Sequence, residues 1–418
     1  MKKQKTKFKQ TEIGMIPEDW DVKELREVLQ EKGYIRGPFG SALKRPELKR
    51  KGIPVYEQAN AIYDHREFRY FIDKENYKKL KRFTVKENDL IISCSGTFGK
   101  VSIISKDDPK GIISQALLIL RPETSKINPH FLKYFFISKE GCEPIASRSI
   151  GSVQVNIAKR EIIEKIPLKT PKIKEQKAIT KILSDLDSKI ELLQNQNKTL
   201  ESIGQAIFKQ WFVDFEFPNE KEKPYKSSGG EMVGSELGEI PKGWVVDVAL
   251  NLFKLEYGWH LPEWNRKEGH IPVFGSGGLS GLHNESFVEG PGVILGRAGK
   301  ISPDSIYYSH IPFCPLETTF YVSTENKKLI RFLFYFLKTM PMVNTGSSIP
   351  NLSRNSIHNA RIIIPLIEVI EYFDALIEKL FDKINEDELQ IKALIQIRDS
   401  LLPKLMSGKI RVPVEARA

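Results

Sequence analysis

Thr11-Glu12-Ile13-Gly14-Met15-Ile16-Pro17-Glu18-Asp19-Trp20 returns late in the chain as Ser235-Glu236-Leu237-Gly238-Glu239-Ile240-Pro241-Lys242-Gly243-Trp244. A phrase that keeps Glu, Gly, Ile-Pro and Trp in register is more order than chance supplies, so a tandem duplication is the first expectation. Later echoes mark the far edge of each copy. Gly151-Ser152 with Asn156-Ile157 answers to Gly346-Ser347 with Asn351-Leu352, and Pro171-Lys172-Ile173 to Pro365-Leu366-Ile367. The copies agree at their edges and diverge between them, where the second is shorter by about 30 residues. This is a repeated frame carrying two unlike inserts.

At 418 residues the chain exceeds one hydrophobic core, and its 40% hydrophobic content suffices for two folded domains with connectors. Net charge of +11 and a pI near 9.2 favour a polyanionic partner, either nucleic acid or a membrane surface. Cys94, Cys142 and Cys314 are scattered, which supports neither a disulfide framework nor a cysteine zinc site and fits a reducing cytoplasm. The basic start Met1-Lys2-Lys3-Gln4-Lys5 has no apolar stretch behind it and does not read as a secretory signal. The most apolar run, Leu329 to Val343, is interrupted by Arg331 and Lys338, is too short for a bilayer, and reads as a buried helix.

Between Trp20 and Pro171, short apolar runs alternate with Gly and Pro. Ile53 to Tyr56, Asp89 to Ser93 and Ile112 to Leu120 read as strands, and Pro129 to Ser138 as a helix. The second copy repeats the outline, with strands at Ile271 to Phe274 and Gly292 to Leu295 and a helix from Leu329 to Lys338. Each half thus contains a mixed α and β domain.

After each domain the period changes to seven. Leu183, Ile190, Asn197, Gly204 and Trp211 form one line, with Leu186, Leu193, Leu200 and Ile207 beside it. The second copy gives Ile377, Ile384, Ile391, Arg398 and Leu405 beside Phe373, Leu380, Leu394 and Leu401. Asn197, Asp387 and Arg398 interrupt the seams, as polar positions that set register do. The expected class is α+β: two mixed globular domains in a tandem pseudo-twofold repeat, separated by two long helices forming an antiparallel coiled coil about 60 Å long. The expected boundaries are 1–170 and 235–364 for the domains, 171–215 and 365–408 for the helices, 216–234 for a charged, Gly-rich linker, and 409–418 for a tail.

A resemblance becomes specific in the frame. Phe208-Lys209-Gln210-Trp211-Phe212-Val213-Asp214-Phe215, the repeated Ile-Pro-x-x-Trp signature, Gly37-Pro38-Phe39-Gly40-Ser41-Ala42-Leu43-Lys44, Ile349-Pro350-Asn351-Leu352-Ser353-Arg354 and the ending Arg398 to Val412 resemble the specificity subunit of type I restriction-modification enzymes. The resemblance covers nearly the whole chain. It implies two target-recognition domains, each binding one half of a bipartite DNA site, with the helices setting the spacer. It further implies a subunit without catalytic activity that carries two methyltransferase subunits and, in the full complex, restriction subunits. S-adenosylmethionine, ATP and Mg²⁺ then belong to the partners, and none is bound by this chain.

The residues alone leave two other classes open. Pro303-Asp304 with Glu325-Asn326-Lys327 fits the loose pattern of a Mg²⁺-dependent nuclease, in which two carboxylates hold the metal and a lysine orients water; such loose patterns arise often by chance, and surface loop charges are the plainer account. A coiled-coil adaptor that never touches DNA would account for the heptads and the charge. Gly275-Ser276-Gly277-Gly278-Leu279-Ser280-Gly281 opens no apparent helix and reads as a glycine turn. The histidines show no metal-ligand spacing.

For DNA contact, Lys44 to Arg82 holds twelve Lys or Arg against six acids. Lys44, Arg45, Lys49, Arg50, Lys51, Arg66, Arg69, Lys78, Lys79 and Arg82 are the candidates for neutralising phosphates, although any one of them also reads as a solvated surface charge. In the second domain His260, Trp264, Asn265, Arg266 and Lys267 are candidate base readers, since Arg and Asn make bidentate contacts to guanine and adenine edges. Lys100, Arg297 and Lys300, in matching loops, suit phosphate positioning.

Overall fold

Leu117-Leu118-Ile119-Leu120 is apolar at every position because the strand Leu117–Pro122 is covered on both faces. Leu118 and Leu120 join one core cluster and Leu117 and Ile119 another, the two-residue alternation of a pleated strand. The computed structural model that shows this describes residues 7–39, 42–94, 97, 99–147, 156–157, 159–299, 302–340 and 352–413. The chain forms two compact units, Met1–Ile190 with Lys392–Ala418, and Glu191–Ile391. Mixed helix and strand content is present in both.

In the first unit, Leu117–Pro122 lies inside an antiparallel sheet in the order Leu29–Arg36, Leu117–Pro122, Leu90–Ser93, Val101–Ile103. The helix Pro129–Ile137 packs one face through Phe131, Leu132, Phe135 and Phe136; Asn128 caps it by accepting from the Phe131 N–H at 3.0 Å. A small sheet, Phe71–Ile72, Ile53–Tyr56, Ile112–Ile113, covers the other face, with Val55 paired in parallel to Ile112. The run Ile112 to Leu120, expected as one strand, is therefore two strands in two sheets. The chain turns at Ser114, whose N–H donates to the Tyr56 carbonyl and whose carbonyl accepts from Leu117.

The second unit has the same strand orders. Its main sheet runs Lys254–Tyr257, Thr319–Ser323, Gly292–Gly296, Ile306–Ser309, and its small sheet Gly278–His283, Ile271–Gly275, Cys314–Pro315, again with one parallel pair, Val273 to Cys314. The glycine-rich stretch is the hairpin turn between Ile271–Gly275 and Gly278–His283, with Gly278 at φ +97°. In each unit the signature forms a hairpin, Phe8–Thr11 with Gly14–Pro17 and Met232–Ser235 with Gly238–Pro241, followed by a buried tryptophan, Trp20 or Trp244. The inserts differ in substance. The small sheet of the first unit encloses a core that includes Val55, Tyr56, Ile72, Leu80, Phe83 and Val85, whereas that of the second gathers only Leu261, Val273 and Cys314 as its buried cluster.

The heptad segments are the helices Ile173–Phe208 and Ile367–Met406. Within the first unit, Glu175 lies opposite Arg411 and Asp187 opposite Arg398, so the start of one helix and the end of the other run in opposite directions. Ile179, Leu183, Leu402, Leu405 and Met406 join the core there. Within the second unit, Phe208, Trp211 and Phe212 meet Phe373, with ring centroids 5.1–5.9 Å apart. The expected seam residues Leu183, Ile190, Leu193, Ile377 and Ile384 are buried, and Leu186, Leu200, Ile207, Leu380, Ile391, Leu394 and Leu401 are half-buried.

Two connecting segments depart from expectation. The stretch 216–234 is folded: Phe217 stacks on Tyr225 at 4.5 Å and on Trp244 at 5.2 Å, and Pro218 bridges Pro224. Two aromatic rings within a charged, glycine-rich stretch are enough to dock it. The expected tail also begins docked. Gly408, at φ +71°, ends the helix against Pro17 and Trp20, and Arg411 pairs with Asp19 and Glu175. No helix among the described residues is long and apolar enough to cross a membrane.

Candidate nucleic-acid interface

The basic span of the first unit wraps its small sheet. Lys44, Arg45, Lys49, Arg50, Lys51, Arg69, Lys78, Lys79 and Arg82 are exposed, on the turn Arg45–Glu47, the helix Lys74–Lys79, the turn Lys81–Phe83 and the segments between. Lys44, Arg45, Arg50, Lys51, Lys78 and Arg82 make no ion pair among the described residues. Lys49 and Lys79 pair with Asp73 and Glu75 in solvent, interactions weak enough to exchange for phosphate.

Arg66 is different. It is half-buried, its Nε donates to Asp108 at 2.7 Å, and its Nη2 donates to Ser102 and to the Ile103 carbonyl. These bonds tie a loop to the main sheet and leave Arg66 a structural part instead of a phosphate contact. Arg69 stacks 4.4 Å over Tyr70 and reaches Glu57 at 2.9 Å. It edges a polar cleft of about 520 Å³ that also presents Glu57, Asn60, His65 and Glu67. Carboxylate acceptors beside a guanidinium donor are groups that match base edges.

In the second unit, Trp264 is 83% exposed on the turn Glu263–Asn265, and His260, Asn265 and Lys267 are exposed around it. His260 Nδ1 lies 3.1 Å from Glu317. Arg266, expected as a reader, is half-buried and bonded to the carbonyls of Leu261 and Ser280, so it holds the turn against the Gly278–His283 strand. Its acceptors are backbone atoms, which residue types do not reveal. Trp259 stacks on Tyr321 at 5.6 Å.

Lys100 is exposed, while Lys300, Gly40-Ser41, Gly151-Ser152 and 346–351 lie outside the described residues. Arg297 is half-buried with its guanidinium 5.1 Å over Tyr257 and 5.5 Å over Phe320, and its Nη1 donates to the Glu317 carbonyl at 2.8 Å. Arg354, which sequence reading passed over as a site residue, lies 4.8 Å from the same Tyr257 ring and pairs with Glu256. Asp304, Glu325 and Lys327 are exposed loop residues, and no group of three metal-binding side chains is found among the described residues.

Comparison with known proteins bears on this arrangement. Residues 17–202 match the family model of the type I restriction modification DNA specificity domain. The chain is 29% identical to the type I restriction enzyme MjaIX specificity subunit of Methanocaldococcus jannaschii, over 97% of each. It is 23% identical to the HindI specificity subunit of Haemophilus influenzae, over 75% of this chain and 84% of the other. The crystal structure of the type I restriction-modification S subunit from M. genitalium superposes with a TM-score of 0.53 at 18% identity, covering 96% of this chain and 99% of that one, a likeness of fold. Signature, matched domain and full-length relatives agree: over nearly its whole length the chain is similar to the specificity subunits of type I restriction-modification systems.

Proposed function

We propose that the chain selects the DNA sequence on which a type I restriction-modification complex acts, each unit binding one half of an asymmetric bipartite site. One observation carries this: the two units share the strand order of both sheets, yet build different surfaces on their small sheets. Equal frames suit equal partner subunits, and unequal inserts suit unequal half-sites.

In this reading the exposed cations between Lys44 and Arg82 neutralise phosphates, and the cleft at Arg69 reads bases in one half-site. His260, Trp264, Asn265 and Lys267 read the other. The helices Ile173–Phe208 and Ile367–Met406 act as an antiparallel, pseudo-twofold spacer, the second being about 60 Å long at 1.5 Å per residue. The chain itself catalyses nothing. It recruits two methyltransferase subunits and, for cleavage, restriction subunits, and these bring S-adenosylmethionine, ATP and Mg²⁺ to DNA in the cytoplasm. Mapping methylated adenines in cells with and without the chain tests the reading. A split, asymmetric motif should lose its methylation when the chain is deleted, and an unchanged methylation map would refute it.

A further inference from the structure

The ladder registers allow the two main sheets to be matched residue by residue. In the first unit Arg36 pairs with Leu118 and Leu118 with Ile92; in the second Tyr257 pairs with Phe320 and Phe320 with Leu295. Two residues beyond Ile92 and Leu295 stand Cys94 and Arg297. The pair Arg36 and Cys94 in one unit therefore occupies the places of Tyr257 and Arg297 in the other. Both pairs are in contact. The Arg36 guanidinium lies beside the Cys94 thiol, which burial pushes up to about 12, and Arg297 stacks on Tyr257. Each unit holds one half-buried guanidinium at the same place on its sheet, supplied from the opposite strand. What is shared is a planar cation at that location, not a residue at a sequence position.

Packing does not require this. Arg66, Arg121 and Arg331 are similarly enclosed, and each is compensated by a carboxylate within 2.7 Å. Arg36 and Arg297 have no carboxylate partner among the described residues. As for Arg331 Nε, one solvent-shielded nitrogen of each, Nη1 of Arg36 and Nε of Arg297, finds no acceptor among the described residues. An enclosed, uncompensated charge is costly and is stabilised when an anion completes it. Rings hold each guanidinium in place: Phe39 at 5.5 Å from Arg36, and Tyr257 and Phe320 around Arg297. Such a fixed fork suits the oxygens of a phosphodiester.

We propose that Arg36 and Arg297 are matched phosphate-binding residues, each fixing one DNA backbone phosphate per half-site and so setting the register in which its unit's insert meets the bases. This rests on the specificity reading above. The test measures binding of the chain, in complex with its methyltransferase subunit, to cognate and scrambled duplexes across a salt series. Arg36→Gln and Arg297→Gln should each weaken both duplexes alike, by about 10-fold, and lower the log–log salt slope by about 0.9, while the cognate preference stays constant. Arg297→Lys should retain the slope. A Gln variant that binds weakly with the wild-type slope, or that loses only cognate binding, overturns the proposal. Where a Gln variant does not fold, a methylphosphonate scan of the duplex with unaltered protein decides. One neutralised phosphate in each half-site should cost the same slope increment, at equal offsets from the two half-sites, and no such pair overturns the proposal. Inorganic phosphate added at constant ionic strength should not compete at millimolar levels, and competition there would make these sites for free anions. If the unaltered complex shows no cognate preference, the specificity reading itself has failed.

Discussion

Trp20 and Trp244 end the same phrase and sit in matching places, but their surroundings diverge. The Trp20 indole N–H donates to Glu175 at 3.1 Å, and Arg411 bridges that carboxylate to Asp19. In the second unit Val369 stands where Glu175 would be and Phe217 where Arg411 would be, and the buried Trp244 N–H finds no acceptor among the described residues. One junction is a charged clasp and the other an aromatic stack. Arg411→Ala should destabilise the first unit by about 3 kcal/mol, because it strands a buried carboxylate, measurable by urea unfolding. The Arg411 hydrogen bond also holds the Asp19 carboxyl below its usual range. A depressed carboxylate adds stability above its unfolded pKa and loses it as pH falls through the folded one, so Arg411→Ala should flatten the loss of stability below about pH 4. Conversely, Val369→Gln should supply Trp244 with an acceptor and stabilise the second unit by about 1 kcal/mol; a destabilisation would show that the N–H points elsewhere.

The two long helices show how much of an element a heptad reading captures. Its apolar positions were legible because burial repeats every seven residues, but Gly204 sat in the seam without a reason. The structure supplies one: a Cβ at Gly204 would lie 1.9 Å from the Tyr335 hydroxyl on the helix Leu329–Thr339. Gly204→Ala should therefore cost about 1–3 kcal/mol despite the better helix propensity of alanine, and Tyr335→Phe should recover part of it in a double-mutant cycle. The polar interruptions are likewise specific. Arg398 reaches Asp187, which also accepts from the Tyr134 hydroxyl at 2.6 Å, and the fully buried Asp387 has Lys383 at 2.9 Å. The small sheets were less legible, since Val55 pairs with Ile112 and Val273 with Cys314 across long intervals that no local pattern marks. Distance in sequence also hid the role of Arg66, whose acceptors Asp108, Ser102 and Ile103 are remote, while Arg266 was hidden because its acceptors are backbone carbonyls. Arg36 escaped notice because its counterpart, Arg297, lies on a different strand, an equivalence that only the ladders reveal.

At the scale of the molecule, the repeat was readable because the frame is short, buried and chemically particular, and the proposed division of labour starts from it. If the helices set the spacing of the half-sites, removing seven residues from each should shorten the preferred spacer of the methylated motif while leaving both half-site sequences intact. An unchanged spacer in the methylation map would rule out that role. The first unit is also built from both ends of the chain, since Lys392–Ala418 belongs to it, while the second is one uninterrupted stretch. Synthesis from the N-terminus therefore delivers the second unit whole before the first. Until residue 411 is made, Trp20 and Glu175 of the leading domain lack Arg411, so a truncation ahead of that residue removes a clasp from the part of the protein that was made first.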